Sequence, residues 1–283
     1  MNGATTIVGY AIKESVRKKM FLVVLLLTGV FIGLFWLGTN ELFQEVDDIS
    51  PPAGIDATTL VGATTLGLGM FGTLFLGTVL AVFLTLSAVR GDAERGLLQP
   101  LVVRPLGRAT FLGARFAGAV AVCALYVIAV YGATVAIVQL EGGWGPDRLV
   151  APALELAVAV SILAGLSLLG SVFLSATANG VAVFMVFGAG LVAGLLGQIG
   201  EALDSETLRN LAHDASWILP FEALYQDGLH RLTVDTGGFT GFVLQLGPFG
   251  GAQAGGDRLF SWVVAYLALL AVAALAGFAR KDL

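Results

Sequence analysis

The sequence predicts an all-α polytopic membrane protein, with six transmembrane helices, an N-terminal amphipathic interfacial helix and both termini cytoplasmic. Three observations lead there. The 283 residues are 57% hydrophobic and only 12% charged, more apolar surface than a soluble domain of this length can hide. Six apolar runs of about 20 residues or more can each cross a ~30 Å hydrocarbon core at ~1.5 Å rise per residue. Most basic residues fall on alternate connections between those runs, as the positive-inside bias expects. The chain reads as one transmembrane domain, 1–283, with no separate soluble part and no sequence repeat.

Residues 5–19, "TTIVGYAIKESVRKK", open the chain. At helical spacing Ile7, Val8, Ala11, Ile12 and Val16 share one face, and Lys13, Glu14 and Arg17 the other. Such a helix lies in the membrane interface, where it anchors orientation and could also touch a partner. The first span, Met20–Thr39, has no A-x-A-like site after it and is longer than a signal-peptide core, so it is retained. The second, Thr58–Val89, is 32 residues long and would reach about 48 Å, so it tilts, protrudes or bends. Its glycines Gly62, Gly67, Gly69, Gly72 and Gly77 permit a bend or close packing. The third span is Phe111–Gln139. The fourth, Leu156–Leu174, leaves Glu155 just outside it, and "SATAN" forms a tight inner turn to the fifth, Gly180–Ile199. There Gly190 and Gly194 fit the small-residue helix-packing motif. The outer segment 200–258 holds "SWILPFEALYQDGLHRLT", read as short amphipathic helices lying at or dipping into the outer boundary, and then a glycine-rich loop. Leu259–Ala279 is the sixth span.

With the N-terminus inside, 11 of the 15 basic residues are inner and 16 of the 20 acids are outer. The two faces carry +7 and −12, which the net −5 conceals. All four tryptophans, Trp36, Trp144, Trp217 and Trp262, fall near or beyond the outer boundary, as an aromatic belt does.

Several chemistries are missing. The six spans read as almost free of ionisable side chains, which proton- or ion-coupled carriers usually need. No lysine follows a glycine, so there is no P-loop, and the chain is not an ATPase or any other enzyme by itself. Gly165-Leu166-Ser167-Leu168-Leu169 misses the nucleophile elbow at its last position, and both histidines, His213 and His230, lie in the outer segment. No metal-ligand spacing accompanies them, so no cofactor or metal is expected on this chain. Cys123 reads as a small core hydrophobe.

The connection 90–108 is unlike the rest. Between Ala88 and Phe116 the chain gathers Arg90, Arg95, Arg104, Arg108 and Arg115 with Asp92 and Glu94. Asp92 can cap a short helix that Pro100 ends, and Thr110 can cap the third span. Two readings stand: an ordinary positive-inside loop with interfacial leucines, or a docking site for another protein.

At these residues the sequence resembles the ABC type-2 family, the exporter-class permease subunits of ATP-binding-cassette transporters. The resemblance is carried by Glu94-Arg95-Gly96-Leu97-Leu98, then Arg104-Pro105 and Arg108, with the six spans, "LPFEALY" and the basic tail "FARKDL". Leu97 stands where Thr is common, and Pro100 is extra. The resemblance implies a permease subunit of an exporter in a bacterial plasma membrane. Two permeases, alike or different, would pair in the lipid bilayer, and two ATPase subunits, carrying ATP and Mg, would dock on loop 91–104. The docking residues would be Asp92, Glu94, Arg95, Gly96, Leu97, Leu98, Leu101 and Arg104. Trp217, Pro220, Phe221, Glu222 and Tyr225 would form an extracellular gate region near the exit. No nucleic-acid partner is implied. The rival readings are an ion-coupled secondary carrier and a non-transporting scaffold or sensor.

Overall fold

The computed structural model describes residues 19–46, 56–86, 108–232 and 252–280. The amphipathic helix before Lys19, the docking residues of 91–104 and the end of the basic tail lie outside the described residues. All regular structure among the described residues is helical: α1 (Lys19–Gln44), α2 (Ala57–Thr85), α3 (Arg108–Gly142), α4 (Val150–Phe173), α5 (Ala176–Ala202), α6 (Glu206–Ile218), α7 (Pro220–His230) and α8 (Leu259–Ala279). Six of them, all but α6 and α7, are long and apolar enough to cross a membrane.

Every one of the six predicted spans corresponds to a helix, five of them with shifted ends. Two shifts matter. Arg108 begins α3, so Thr110 lies in its first turn and is not its cap. Val150 begins α4, so Glu155 belongs to the fourth span, where it is buried. The spans are therefore not empty of buried charge.

α4 is the centre of the bundle, packing against α2, α3, α5, α7 and α8. α2 runs unbroken through its five glycines, which serve close approach. A Cβ at Gly72 would collide with the Phe31 ring of α1, and one at Gly62 with Trp144. Association in lipid gains nothing from hiding one apolar surface from another, so interlocking of rings over small residues supplies the contact energy. Many hydroxyls inside the spans are satisfied internally, as hydrocarbon demands, although Tyr131 Oη and Ser167 Oγ are buried without a partner. Thr73, Thr78 and Thr85 donate to carbonyls four residues back, at 2.7–2.8 Å. Thr28 on α1 meets the Tyr126 hydroxyl on α3.

Ser175 accepts from the Ala178 amide and caps α5 directly after α4, so the tight turn is Leu174–Ser175 and the rest of "SATAN" is the first turn of α5. Asn179 pins this turn by donating to the Ser167 carbonyl, 2.8 Å away. α1 and α8 form the periphery. Leu22, Leu26 and Leu34 on α1, and Val264, Leu269 and Val272 on α8, are exposed and suit a lipid surrounding.

Candidate functional site

α6 and α7 together fold against one end of the bundle, the end reached by the last turns of α1, α3 and α5. Their depth can be read against α5. Gly200 faces Arg209 and Gly197 faces Ala212, so α6 descends alongside α5. The chain turns at Leu219, and Pro220 takes the first helical position of α7, where its missing N–H costs nothing. α7 then climbs back: Phe221 abuts Gly190, and Glu222 and Gln226 abut Gly194. Gly190 is 12 residues before Ala202, so the hairpin reaches about 18 Å below the end of α5.

The two limbs differ in chemistry. α6 has no buried residue, whereas α7 is buried on nearly every side and packs mainly on α4. Short helices were expected to lie at or dip into a boundary; α6 is the exposed limb and α7 the inserted one. Phe221 stacks on Phe187 of α5 at 5.9 Å between ring centres, and Tyr225 is 1% exposed. The pair Gly190 and Gly194 is occupied within this chain, as the seat of α7. Gly194→Leu should drive a side chain into Glu222 and Gln226, costing about 1–3 kcal/mol of overpacking. We expect a lower melting temperature in detergent than for Gly188→Leu, where a new Cβ meets nothing within 4 Å.

A buried ionic clasp closes the top of α7. Arg231, just past the helix, places Nε 2.7 Å from Glu155 Oε1 and donates from Nη2 to Asp227 Oδ2 at 2.8 Å. The carboxyls are only 1% and 6% exposed. Asp227 Oδ1 also accepts from the Gly255 amide at 2.9 Å, and the Leu232 carbonyl accepts from the Asp147 amide. One cluster thus joins α4, α7, the α3–α4 connection and the approach to α8. Burial raises the Asp227 pKa, but the Gly255 amide and Arg231 outweigh it and leave the carboxyl below its usual range. The bond to Asp227 is the main reason that Arg231 is held more firmly protonated than usual.

Between α5, α6, α7 and the start of α8 lies a chamber of about 780 Å³. Its buried floor carries Glu222, only 3% exposed, whose Oε1 accepts from Gln226. Burial pushes the Glu222 carboxyl up to about 7, partly offset by Gln226. Trp217 and Trp262 form one wall, edge to face at 5.5 Å between ring centres. Trp262 donates to the Trp217 carbonyl at 2.8 Å, tying α8 to the turn of the hairpin. His213 Nε2 accepts from Trp217 Nε1 at 3.1 Å, so this histidine orients an indole. No group of three or more metal-ligating side chains occurs among the described residues.

Of the five residues expected at a gate, the fold brings only Trp217 and Glu222 to the chamber. Pro220, Phe221 and Tyr225 are buried on α7 outside its lining. Sequence reasoning missed the clasp. Asp227 and Arg231 stand at i, i+4, a helical pairing signal, but nothing in the local pattern points to Glu155, about 70 residues earlier.

Six apolar helices in one bundle define a multi-pass helical membrane protein. No family model matches the chain. Over 145 residues it is 30% identical to the probable ABC transporter permease protein NosY of Stutzerimonas stutzeri. That stretch is 50% of this chain and 48% of the relative, so the chain spans about half the length of the curated relative it matches. The likeness supports the ABC permease family.

Proposed function

We propose that this chain is the membrane-spanning permease subunit of an ATP-binding-cassette exporter of the type-2 class, in a bacterial plasma membrane. The carrying observation is the likeness to an ABC permease, found on a bundle of six apolar helices. In this reading both termini and loop 91–104 face the cytoplasm, and the α6–α7 hairpin faces outward, near the exit. A second permease subunit completes the path between the two bundles. Two ATPase subunits bind ATP and Mg, dock on loop 91–104 and drive the bundles apart and together. Glu94 and Arg95 would supply ion pairs there, and Leu97, Leu98 and Leu101 the apolar contact.

Purification of the tagged chain from its native membrane in mild detergent, followed by mass spectrometry, tests this. A P-loop ATPase should co-purify in stoichiometric amount. Leu98→Asp with Glu94→Ala should reduce that recovery ~10-fold or more, since a charge buried at the centre of an interface costs upwards of ~1.4 kcal/mol. Full recovery in the double variant would refute the docking assignment.

The ion-coupled carrier remains a second reading, favoured by Glu155, a buried acid inside a span. It requires transport into ATP-free proteoliposomes under an ion gradient alone, which the first reading forbids.

A further inference from the structure

We propose that the chamber behind the α6–α7 hairpin is a binding site for an organic ammonium group on a compact apolar body, with Glu222 as its counter-ion. The site goes beyond the permease reading and does not depend on it.

The chamber is large enough for a small organic molecule and is lined by both polar and apolar groups. Its charges are unevenly placed. Arg209 and Arg258 line it at the rim, where Arg209 is already paired with Asp204 at 3.0 Å and Arg258 is exposed. Glu201 and Asp257 are also at the exposed rim, with Glu201 accepting from Gln253 at 2.6 Å. Among the described residues, the only charged side chain on the buried floor is Glu222, and its hydrogen-bond partner is the neutral amide of Gln226. A carboxylate buried with no cation beside it is costly, and a bound ammonium removes that cost. At the floor the low effective dielectric also makes the attraction stronger than at the rim. The indole pair of Trp217 and Trp262 covers an apolar body and adds cation–π attraction. Neither an anion nor a neutral polar molecule uses this combination. An anion would meet Glu222, and a neutral ligand would leave it uncompensated.

The test uses the full chain in phosphatidylcholine nanodiscs at pH 8, with empty nanodiscs as the partition control. Three probes share one apolar body and differ in charge: 1-adamantylamine, 1-adamantanol and 1-adamantanecarboxylate. Tryptophan fluorescence and calorimetry read binding. The amine should bind at least ~10-fold more tightly than the alcohol, and the carboxylate more weakly than either. Glu222→Gln, which keeps an acceptor for Gln226, should abolish the preference and bring amine and alcohol to similar affinity. Equal binding of amine and alcohol, no binding of the amine, or a preference that survives Glu222→Gln would each overturn the proposal. The wild-type comparison decides even if the variant fails to fold. None of these results bears on ATPase co-purification, so the permease reading stands or falls separately.

Discussion

Replacing Arg231 with methionine should destabilise the bundle by about 3–5 kcal/mol, the cost of leaving buried carboxylates without their cation. Methionine keeps much of the side-chain volume and removes the charge. What remains is the Asp227 carboxylate, 6% exposed, beside the Glu155 carboxyl, 1% exposed, with no guanidinium between them. The unfolding midpoint in detergent should fall sharply, and α7 should become accessible to protease before the spans do. Arg231→Lys should recover only part of the loss, because a lysine cannot bridge two carboxyls as the planar fork does. The decisive variant adds Glu155→Gln and Asp227→Asn to Arg231→Met. With no charge left to compensate, this triple variant should be more stable than Arg231→Met alone. If instead all the variants melt with the wild type, the clasp is an incidental surface arrangement.

The contrast between the spans and the hairpin shows what a sequence can carry here. A transmembrane helix is specified by its own composition, because bilayer thickness sets its length and lipid sets its polarity. Hence all six spans were legible, α8 to the residue. α4 was read six residues short because Pro152 and Glu155 interrupt the apolar run. Proline is tolerated in the first helical turn, and Glu155 is compensated by Arg231, just past the end of α7. α7 posed the opposite problem. Its Pro220 and Glu222 looked like interruptions of an interfacial helix, but Pro220 starts the helix and Glu222 lies buried beneath it. A helix covered on all sides shows no apolar stripe, so its burial depends on partners such as Gly190 and Gly194 that no local window contains. The chamber was legible only as two residue types, Trp217 and Glu222, and the fold supplied their meeting.

Glu222 gives the second large effect, and its sign is opposite to that of an ordinary paired carboxylate. Its carboxyl is held at about 7 in the folded protein against 4.5 when free, chiefly by burial and despite the bond from Gln226. Between these two values the folded state keeps a proton that the unfolded state has released. Stability therefore falls as pH rises from about 4.5 through 7, and levels off above it, by about 3 kcal/mol in all. Asp227 works the other way, because its depressed value adds stability above its free pKa of 3.8 and loses it in acid. The two groups titrate in different windows, so a melting profile between pH 5 and 8 separates Glu222 from Asp227, and taking it in a Glu155→Gln background removes the other buried acid. Around it stand Tyr225 on its own helix, His213 and Arg209 on α6, Glu201 on α5, and Asp257 and Arg258 before α8. Of these His213 is the one imidazole, so His213→Gln is the necessary control. Glu222→Gln should flatten the decline between pH 5 and 8, and His213→Gln should leave it in place. The ammonium probe should act on the same slope, stabilising the wild type most at pH 8, where the floor carboxylate is charged. A decline that persists in Glu222→Gln would assign the titration to another group and take the counter-ion away from the chamber.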